Sequence, residues 1–384
     1  MKQIMTFLFA SLWIAACSTS VSTQTDFAYF PTDLPKSDLI RSEKQNFHTQ
    51  VVAKGLKNPW GMAFLPDGRV LVTERPGTLR MIENGRLLDA PVSGVPAVVA
   101  RGQGGLLDVA VHPQFETNSF VYLSYSIPLE GGTHTAIMRA KLDGNSLTEP
   151  TVIFTGGPAS TRGHHFGSRI VFDNEGYLYF TIGDRGRMED AQSLTNAAGK
   201  VFRIHDDGRV PADNPFVNEP GAFTQIWSYG HRNIQGFVKH PETGVLWAHE
   251  HGPRGGDELN IVRKAANYGW PTITYGINYD GSIITNERER EGMEQPAEIW
   301  DPSIGPSGLA IVTSDLYPGW KGNAMVGALA FTSVYRVEIT GEAADSKEQL
   351  LANIGRVRDV RQGPDGYLYV MVESSGEIIR LLPE

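Results

Sequence analysis

Two adjacent histidines, His164 and His165, stand between a glycine and an apolar run in the segment TRGHHFGSRIVF (161–172). Imidazole titrates near neutral pH, so either ring could serve as a general base or as a metal ligand. Neighbouring side chains of an extended chain point to opposite faces, which makes the pair a poor chelate for one ion. We therefore expect His165 to face a site and His164 to turn away. The alternative is that both are ordinary loop residues.

Other polar residues share the position of His165 relative to a recurring polar turn. Each lies eight or nine residues before such a turn: Gln103 before His112, His165 before Asp173, Asn233 before Pro241, and Arg356 before Pro364. Arg232 and Arg358 lie beside two of these positions. Amide and guanidinium donors around a histidine suit a planar, anionic ligand. If the fold is symmetric, these side chains meet in one site.

The elements that must position these residues are copies of one turn-and-strand phrase. The copies begin at Pro66, His112, Asp173, Pro241, Tyr317 and Pro364. A second strand-like phrase follows each copy, as in TLRMI (78–82) and VFRIH (201–205). Six such pairs predict an all-β protein, a six-bladed β-propeller whose last blade is completed by the strand near residues 47–53. One short helical turn is expected near 343–351. The equivalent loops then meet at one mouth of the central channel.

The amino-terminal residues, MKQIMTFLFASLWIAAC, have the order of an export signal. A lysine precedes an apolar stretch too short to span a bilayer, and small residues precede Cys17. This order resembles a bacterial lipobox. Residues 1–16 are therefore predicted to be a lipoprotein signal peptide, and Cys17 the acylated residue of a periplasm-facing envelope lipoprotein in the outer membrane. The alternative is an ordinary signal peptide that contains a cysteine.

The rest of the chain divides into two predicted parts. Residues 17–46, Ser/Thr-rich and then mixed polar, are predicted to be a flexible tether, and residues 47–384 form the propeller domain. The formal net charge is −9 and no long Lys/Arg run offsets it, which argues against nucleic acid as a partner. Contact with a membrane is expected only through the lipid anchor.

Several segments, in order over roughly residues 50 to 384, resemble one family of enzymes. They are NPWGMAFLPDG, GQGGLLDVAVHP, HHFGSRIVF, TIGDRG, GHRNIQGF, HEHGPRGGDELN, NYGWP and RVRDVRQGPDGYLYV. The resemblance is to the soluble sugar dehydrogenases that depend on pyrroloquinoline quinone (PQQ), the glucose/sorbosone dehydrogenase family, and within it the aldose sugar dehydrogenase branch. It implies a six-bladed propeller that carries PQQ over the channel mouth, with calcium (Ca²⁺) beneath it.

The resemblance also implies a role for each matching residue. His165 would be the general base, Asp184 of TIGDRG the carboxylate that orients it, and Arg232 a cation that stabilises negative charge on the quinone. The implied cofactor contacts are Gln103, Arg232, Asn233, Tyr279, Ser303, Arg356 and Arg358. The implied calcium ligands are the carbonyls of Gly252 and Pro253 beside the cofactor, and Glu258 with the carbonyl of Tyr268 for a further ion.

Some interpretations of these residues stay open. The rings of His249 and His251, two positions apart, could bind a metal, although calcium prefers oxygen ligands. Asp257 and Glu258 could simply cap a turn. The aromatic residues of NYGWP are expected to lie in the core rather than to contact a cofactor.

The implied reaction is the oxidation of the C1 hydroxyl of aldose sugars to lactones, with electrons passed to an external acceptor. One departure bears on it: Ala330 stands where the family usually has a lysine that reaches the cofactor. A lost charge-assisted hydrogen bond amounts to roughly 1.5–3 kcal/mol. Two other functions stay open: a propeller that has lost catalysis and binds a small ligand or protein partner, and a calcium-dependent, lactonase-like hydrolase.

Overall fold

A computed structural model describes residues 28–384 as strands joined by turns and long loops. The strands are β1 (Phe47–Ala53), β2 (Pro59–Phe64), β3 (Val70–Glu74), β4 (Thr78–Glu83), β5 (Arg86–Leu87), β6 (Leu106–Val111), β7 (Phe120–Leu129), β8 (Gly132–Asp143), β9 (Ser146–Thr155), β10 (Ile170–Phe172), β11 (Leu178–Ile182), β12 (Lys200–Ile204), β13 (Ile226–Tyr229), β14 (Ile234–Lys239), β15 (Leu246–Glu250), β16 (Asp257–Val262), β17 (Glu298–Trp300), β18 (Pro306–Ile311), β19 (Ala324–Ala328), β20 (Ser333–Thr340), β21 (Ala343–Leu351), β22 (Val357–Gln362), β23 (Leu368–Val372) and β24 (Glu377–Pro383). A one-turn helix, α1 (Phe115–Asn118), and a 3-10 helix at Met188–Gln192 complete the described elements.

The strands form six four-stranded antiparallel sheets, so the prediction of a six-bladed propeller is confirmed. Blades 1 to 5 are β2–β5, β6–β9, β10–β13, β14–β17 and β18–β21, each in chain order. Blade 6 has the order β22, β23, β24, β1. Its outer strand comes from the other end of the chain, with Phe47 opposite Pro383 and Val51 opposite Ile379. This pairing closes the ring as the sequence predicted.

Each copy of the repeated phrase forms the second strand of a blade. β3, β11, β15, β19 and β23 are buried at every residue, because blades pack on both of their faces. The core therefore lies between blades: Leu71 and Leu79 of blade 1 pack with Leu123 and Met138 of blade 2. The segment 343–351, where a helical turn was expected, is instead the edge strand β21, mostly exposed and paired only with β20.

The prediction of a flexible tether is wrong for residues 28–46. Tyr29 and Phe30 are only 1% and 2% exposed and belong to the core cluster beneath blades 1 and 6. The buried Arg380 donates to the carbonyl of Pro31 (2.7 Å), which fixes this segment to β24. These two aromatic residues, with Leu34 packed against the same cluster, bury the apolar surface that orders this stretch. Residues 1–16 and Cys17 lie outside the described residues.

The two ends of the channel are built differently. The loops that lead into the innermost strands (β2, β6, β10, β14, β18 and β22) lie on one side, here called the mouth face. The turns that follow those strands lie on the opposite face. Within residues 28–384, no helix has the length and apolar composition required to cross a bilayer.

The buried side chain of Arg169, from blade 3, contacts each of the other five blades inside the channel. Its guanidinium pairs with Asp108 (3.2 Å) and Asp359 (3.1 Å) and lies 4.3 Å from the ring centroid of Trp60. It also donates to the carbonyls of Gln235 (2.7 Å), Arg358 (3.0 Å) and Ser307 (3.5 Å). These contacts close the channel directly beneath the mouth face.

Candidate active site

A histidine and an aspartate are hydrogen-bonded at the mouth face. His165 lies in the loop before β10, and its Nδ1 is 2.6 Å from Oδ1 of Asp184, which follows β11. Asp184 is 1% exposed; its Oδ1 also accepts from the Gly186 N–H (2.7 Å), and its Oδ2 accepts from the Trp270 indole N–H (2.8 Å). An ionised carboxylate in this position selects the tautomer with the proton on Nδ1. Nε2 of His165 is then the nitrogen left for a ligand.

The electrostatics of this pair suit a base. Burial lowers the pKa of His165 to about 4, and the nearby Arg232 acts in the same direction, although the hydrogen bond to Asp184 opposes both. Burial alone would raise the pKa of Asp184, but the hydrogen bonds from His165 and Gly186 lower it. The ring of His165 is therefore neutral at pH 7 and ready to accept a proton.

The expectation that His164 turns away from the site is wrong. His165 has a positive φ of 56°, so the two side chains do not alternate as they would on an extended strand. Their rings meet edge to face, with centroids 4.5 Å apart. Both histidines line one cavity of about 510 Å³, together with Asp184, Arg232 and Tyr279.

The predicted cofactor residues, apart from Asn233, border three adjoining cavities at the mouth face. Gln103 accepts a hydrogen bond from the His165 N–H (2.8 Å) and lies between the His165 cavity and a second cavity of about 210 Å³, lined by Arg356 and Arg358. Tyr279, 74% exposed, lies between the His165 cavity and a third cavity of about 330 Å³. Ser303 and Ala330 line this third cavity. Side chains from five blades thus meet at one site.

Several nitrogen atoms of this set have no acceptor among the described residues. They are the buried Nε atoms of Arg232 and Arg358 and the buried Nδ2 of Asn233. Arg232 donates to the His251 carbonyl (3.0 Å), and Arg358 donates to Oε1 of Gln235 (3.2 Å) and pairs with Glu373 (3.3 Å). A buried donor without a partner is costly, so the site is shaped for a ligand that supplies acceptors.

Two glutamates, the buried Glu250 and the partly buried Glu258, mark the predicted calcium region. Glu258 on β16 lies directly opposite Glu250 on β15, and the Asn260 amide donates to both carboxylates (3.1 and 3.3 Å). Burial, followed by repulsion from Glu250, raises the pKa of Glu258 to about 8. A small space of about 10 Å³ is bordered by both glutamates, Gly252 and Tyr268. It has about the size that one water or one ion needs.

The neighbouring residues resolve the interpretations left open. Asp257 is a turn cap: it accepts from the N–H groups of Gly252 and Gly305, both at 2.8 Å. Nε2 of His249 lies 3.2 Å from the Gly308 carbonyl, and Nε2 of His251 lies 2.7 Å from the Pro306 carbonyl. Among residues 28–384, no group of three or more His, Cys, Asp or Glu side chains is arranged to hold a metal. A cation here would draw on backbone carbonyls as well as the two glutamates.

Sequence reasoning missed Glu250 and Trp270. Glu250 lies between the histidines of HEHG, and the cross-strand register with Glu258 was not visible in the sequence. Trp270 is buried, as expected for NYGWP, but it also donates to Asp184. The long connection 263–297 between β16 and β17 brings Trp270 and Tyr279 to the mouth face. The unusual length of that connection was the available signal.

The fold and this site together define a six-bladed propeller with a hydrogen-bonded histidine–aspartate pair at the channel mouth. The glucose/sorbosone dehydrogenase family model matches residues 56–380. The aldose sugar dehydrogenase YliI of Escherichia coli is 44% identical over 88% of this chain and 93% of that protein. The chain belongs to the glucose/sorbosone dehydrogenase family, and it is an oxidoreductase of the sugar dehydrogenase class.

Solved structures agree with this assignment. The soluble aldose sugar dehydrogenase from Escherichia coli, in its apo form, has a TM-score of 0.84 and 41% identity over 88% of this chain and all of that one. The PQQ-bound aldose sugar dehydrogenase from Streptomyces coelicolor has a TM-score of 0.71 and 29% identity over 88% of this chain and 98% of that one. The resemblance to this family in the sequence is confirmed.

Proposed function

We propose that the protein is a quinoprotein dehydrogenase that oxidises the C1 hydroxyl of aldose sugars to lactones, with PQQ and calcium as cofactors. The observation that carries the proposal is the buried His165–Asp184 pair beside arginines whose Nε atoms lack acceptors. The lactone forms because a cyclic aldose loses two electrons and two protons at C1 and keeps its ring oxygen.

The donor set fits PQQ, a planar molecule with three carboxylates. Arg232, Asn233 and Arg358 each have a buried nitrogen that needs an acceptor, and Gln103 and Arg356 border the same cavities. The PQQ-bound relative from Streptomyces coelicolor supports this choice of cofactor. When bound, PQQ supplies the electrophilic quinone carbon that accepts a hydride.

Side chains of the protein would accept the proton that leaves the C1 hydroxyl. Nε2 of the neutral His165 accepts the proton of the C1 hydroxyl, a role that contributes typically 10²–10⁴-fold to a rate. Asp184 keeps the ring oriented and stabilises the imidazolium that forms. Arg232, next to the pair, would supply positive charge that stabilises negative charge on the quinone when PQQ is bound.

The donors near Glu258 fit calcium, which prefers oxygen ligands. The carbonyls of Gly252 and Pro253 would hold an ion beside the cofactor. Glu258 and the Tyr268 carbonyl, with Glu250 opposite, would hold a further one. Calcium would supply positive charge beside the cofactor and between the carboxyls of Glu250 and Glu258, where it would favour the ionised form of Glu258. Electrons would leave to an external acceptor, from a periplasm-facing envelope protein anchored through acylated Cys17.

The test is a titration of protein lacking residues 1–17 with PQQ and calcium, followed by aldoses with a dye as electron acceptor. We expect saturable binding by quinone absorbance and dye reduction that falls by at least about a hundredfold in His165→Ala. PQQ binding by that variant serves as the folding control. If PQQ binds saturably but no aldose reduces the dye, the protein is better described as a binding protein. If PQQ does not bind, the absence of the family's lysine at Ala330 has abolished cofactor binding.

A further inference from the structure

Beside the base, the His165 cavity contains an arginine with no assigned role. Arg162 lines this cavity together with His164, and its guanidinium has no hydrogen bond or ion pair to any of residues 28–384. Its backbone, by contrast, is fully engaged: its N–H donates to Oγ of Ser160 (3.1 Å) and its carbonyl accepts from Arg185 (3.1 Å). The side chain is free while the residue itself is held in place.

A second arginine fixes the backbone of Arg162 and His164, which form one wall of the His165 cavity. Arg185 is buried, and its guanidinium lies 3.4 Å from the ring centroid of Phe166. From there it donates to the carbonyl of His164 and to the carbonyl of Arg162. One buried cation therefore sets the backbone of both residues, which is the kind of support that a pre-organised binding site requires.

A glycine makes room for the two side chains. Gly186 has a φ of 71°, and a Cβ added there would lie 2.5 Å from Nε2 of His164 and 3.1 Å from Cγ of Arg162. Both side chains thus lie over the same glycine, and His164 touches His165 on its other side. Around the wall the order is Arg162, His164, His165. The ring of His164 thus lies next to both Arg162 and the proposed base, His165.

The charges of this cavity favour an anion. Its lining includes two arginines, Arg162 and Arg232, and one acidic side chain, Asp184. Asp184 is already bound by His165, Gly186 and Trp270, so it offers little to a ligand. Of the cations assigned to the cofactor, Arg356 and Arg358 line the neighbouring cavity, and Arg232 lines this one. Arg162 is thus available to the substrate.

We propose that Arg162, supported by His164, selects aldoses that carry a carboxylate remote from C1, that is, hexuronic acids. The inference rests on the proposed function and narrows its substrate class. The C6 carboxylate of a hexuronic acid lies several bonds from C1. It reaches the guanidinium of Arg162 while the C1 hydroxyl faces Nε2 of His165. The hydrogen bond is charge-assisted, and a planar guanidinium pairs well with a carboxylate.

The test compares sugars that differ only at C6, with the protein loaded with PQQ and calcium. For Arg162→Gln we expect kcat/KM for glucuronate to fall by about ten- to a hundredfold and that for glucose to change less than about twofold. Arg101→Gln, an exposed arginine of the neighbouring loop outside this cavity, is the matched control and should change neither value. Equal losses for both sugars, or no loss for glucuronate, would overturn the proposal.

Direct binding separates this proposal from the dehydrogenase assignment. Methyl β-D-glucuronide and methyl β-D-glucoside have no free C1 hydroxyl, so both can be titrated calorimetrically into the loaded protein without turnover. We expect the glucuronide to bind more tightly, by about tenfold or more, and to lose that advantage in Arg162→Gln. Equal binding, or a weaker affinity of Arg162→Gln for PQQ itself, would overturn the proposal. If no aldose is oxidised, the dehydrogenase assignment fails, and this titration still decides the role of Arg162.

Discussion

Asp184 holds the ring of His165 through a hydrogen bond of 2.6 Å between Oδ1 and Nδ1, at a point where the carboxylate is sealed from solvent. Gly186 and Trp270 supply its two other donors, one to each oxygen. The carboxylate is thus fixed from three sides, and the ring of His165 has one orientation. The basicity of the proposed base, His165, therefore depends on Asp184 as well as on the imidazole itself.

Asp184→Asn should lower kcat by about a thousandfold or more, because the amide no longer selects the tautomer or stabilises the imidazolium. Since the Asp184 carboxylate raises the pKa of His165, its loss should also move the acid limb of the pH profile to lower pH. Trp270→Phe removes only the donor to Oδ2 and should have a much smaller effect. Stopped-flow turnover at several pH values measures kcat for both variants, and their affinity for PQQ is the control. Equal losses of kcat in Asp184→Asn and Trp270→Phe would contradict this role for Asp184.

Ala330→Lys should tighten PQQ binding by about ten- to a hundredfold. Ala330 is exposed and lines the cavity that also contains Ser303 and Tyr279, so a lysine there can reach an anionic ligand without displacing core atoms. The expected gain is that of one charge-assisted hydrogen bond. Phe331→Lys adds the same charge one residue away. If the affinity for PQQ rises equally in both variants, the effect comes from the added charge in general and not from a restored contact.

Calcium should stabilise the protein, and Glu258→Gln should abolish much of that effect. Without a cation, Glu258 lies directly opposite Glu250 across the β15–β16 pair, and burial, followed by repulsion from Glu250, raises its pKa to about 8, so its carboxyl is protonated at pH 7. A bound cation would stabilise its ionised form. At a calcium concentration of 100 times Kd, the stabilisation is about 2.7 kcal/mol. Thermal melts with calcium and with chelator measure it. A variant that responds to calcium as the wild type does would exclude Glu258 as a ligand.

Acid should destabilise the fold through buried histidines, of which His134 gives the cleanest test. Burial, and then the nearby Arg185, lowers the pKa of His134 to about 3, against about 6.5 in the unfolded chain. The unfolded state therefore binds more protons below pH 6.5, and the contribution of His134 to stability is lost as the pH falls toward 3.

His134→Asn places an oxygen near the position of Nδ1, which accepts the Thr135 N–H (2.9 Å), but has nothing to protonate. Its stability relative to the wild type should improve by about 1.4 kcal/mol per pH unit below 6.5. Urea unfolding at pH 7.5, 6 and 5 gives the comparison. A difference that does not change with pH would show that His134 does not titrate as stated.

Arg169→Met should lower the free energy of unfolding by about 3–5 kcal/mol, the usual effect of breaking a buried ion pair. Asp108 and Asp359 would keep Arg361 (3.0 Å from each) but lose the cation between them. Arg209→Gln, which breaks an exposed pair with Asp207, is the control and should change stability by less than about 0.5 kcal/mol. Denaturant unfolding measures both, and similar values would contradict the role given to the channel arginine.

The parts of the site that the sequence predicted are those that follow from symmetry. Gln103, His165, Asn233 and Arg356 occupy equivalent loops, so locating the repeats was enough to bring them together. The errors concern relationships that the local sequence does not contain. The positive φ of His165 turns His164 into the cavity, and the pairing of Glu250 with Glu258 depends on strand register. The burial of Tyr29 depends on a core supplied by both ends of the chain.

The position of the residues that precede β1 bears on how the molecule would be oriented at a membrane. The Tyr29 hydroxyl donates to the carbonyl of Leu65, in the turn that follows β2, so the described chain begins on the face opposite the mouth. A lipid at Cys17, as proposed, would hold the molecule by that face. His165 and the cavities at the mouth face would then face away from the bilayer. They would be accessible to sugars and electron acceptors that diffuse through the periplasm.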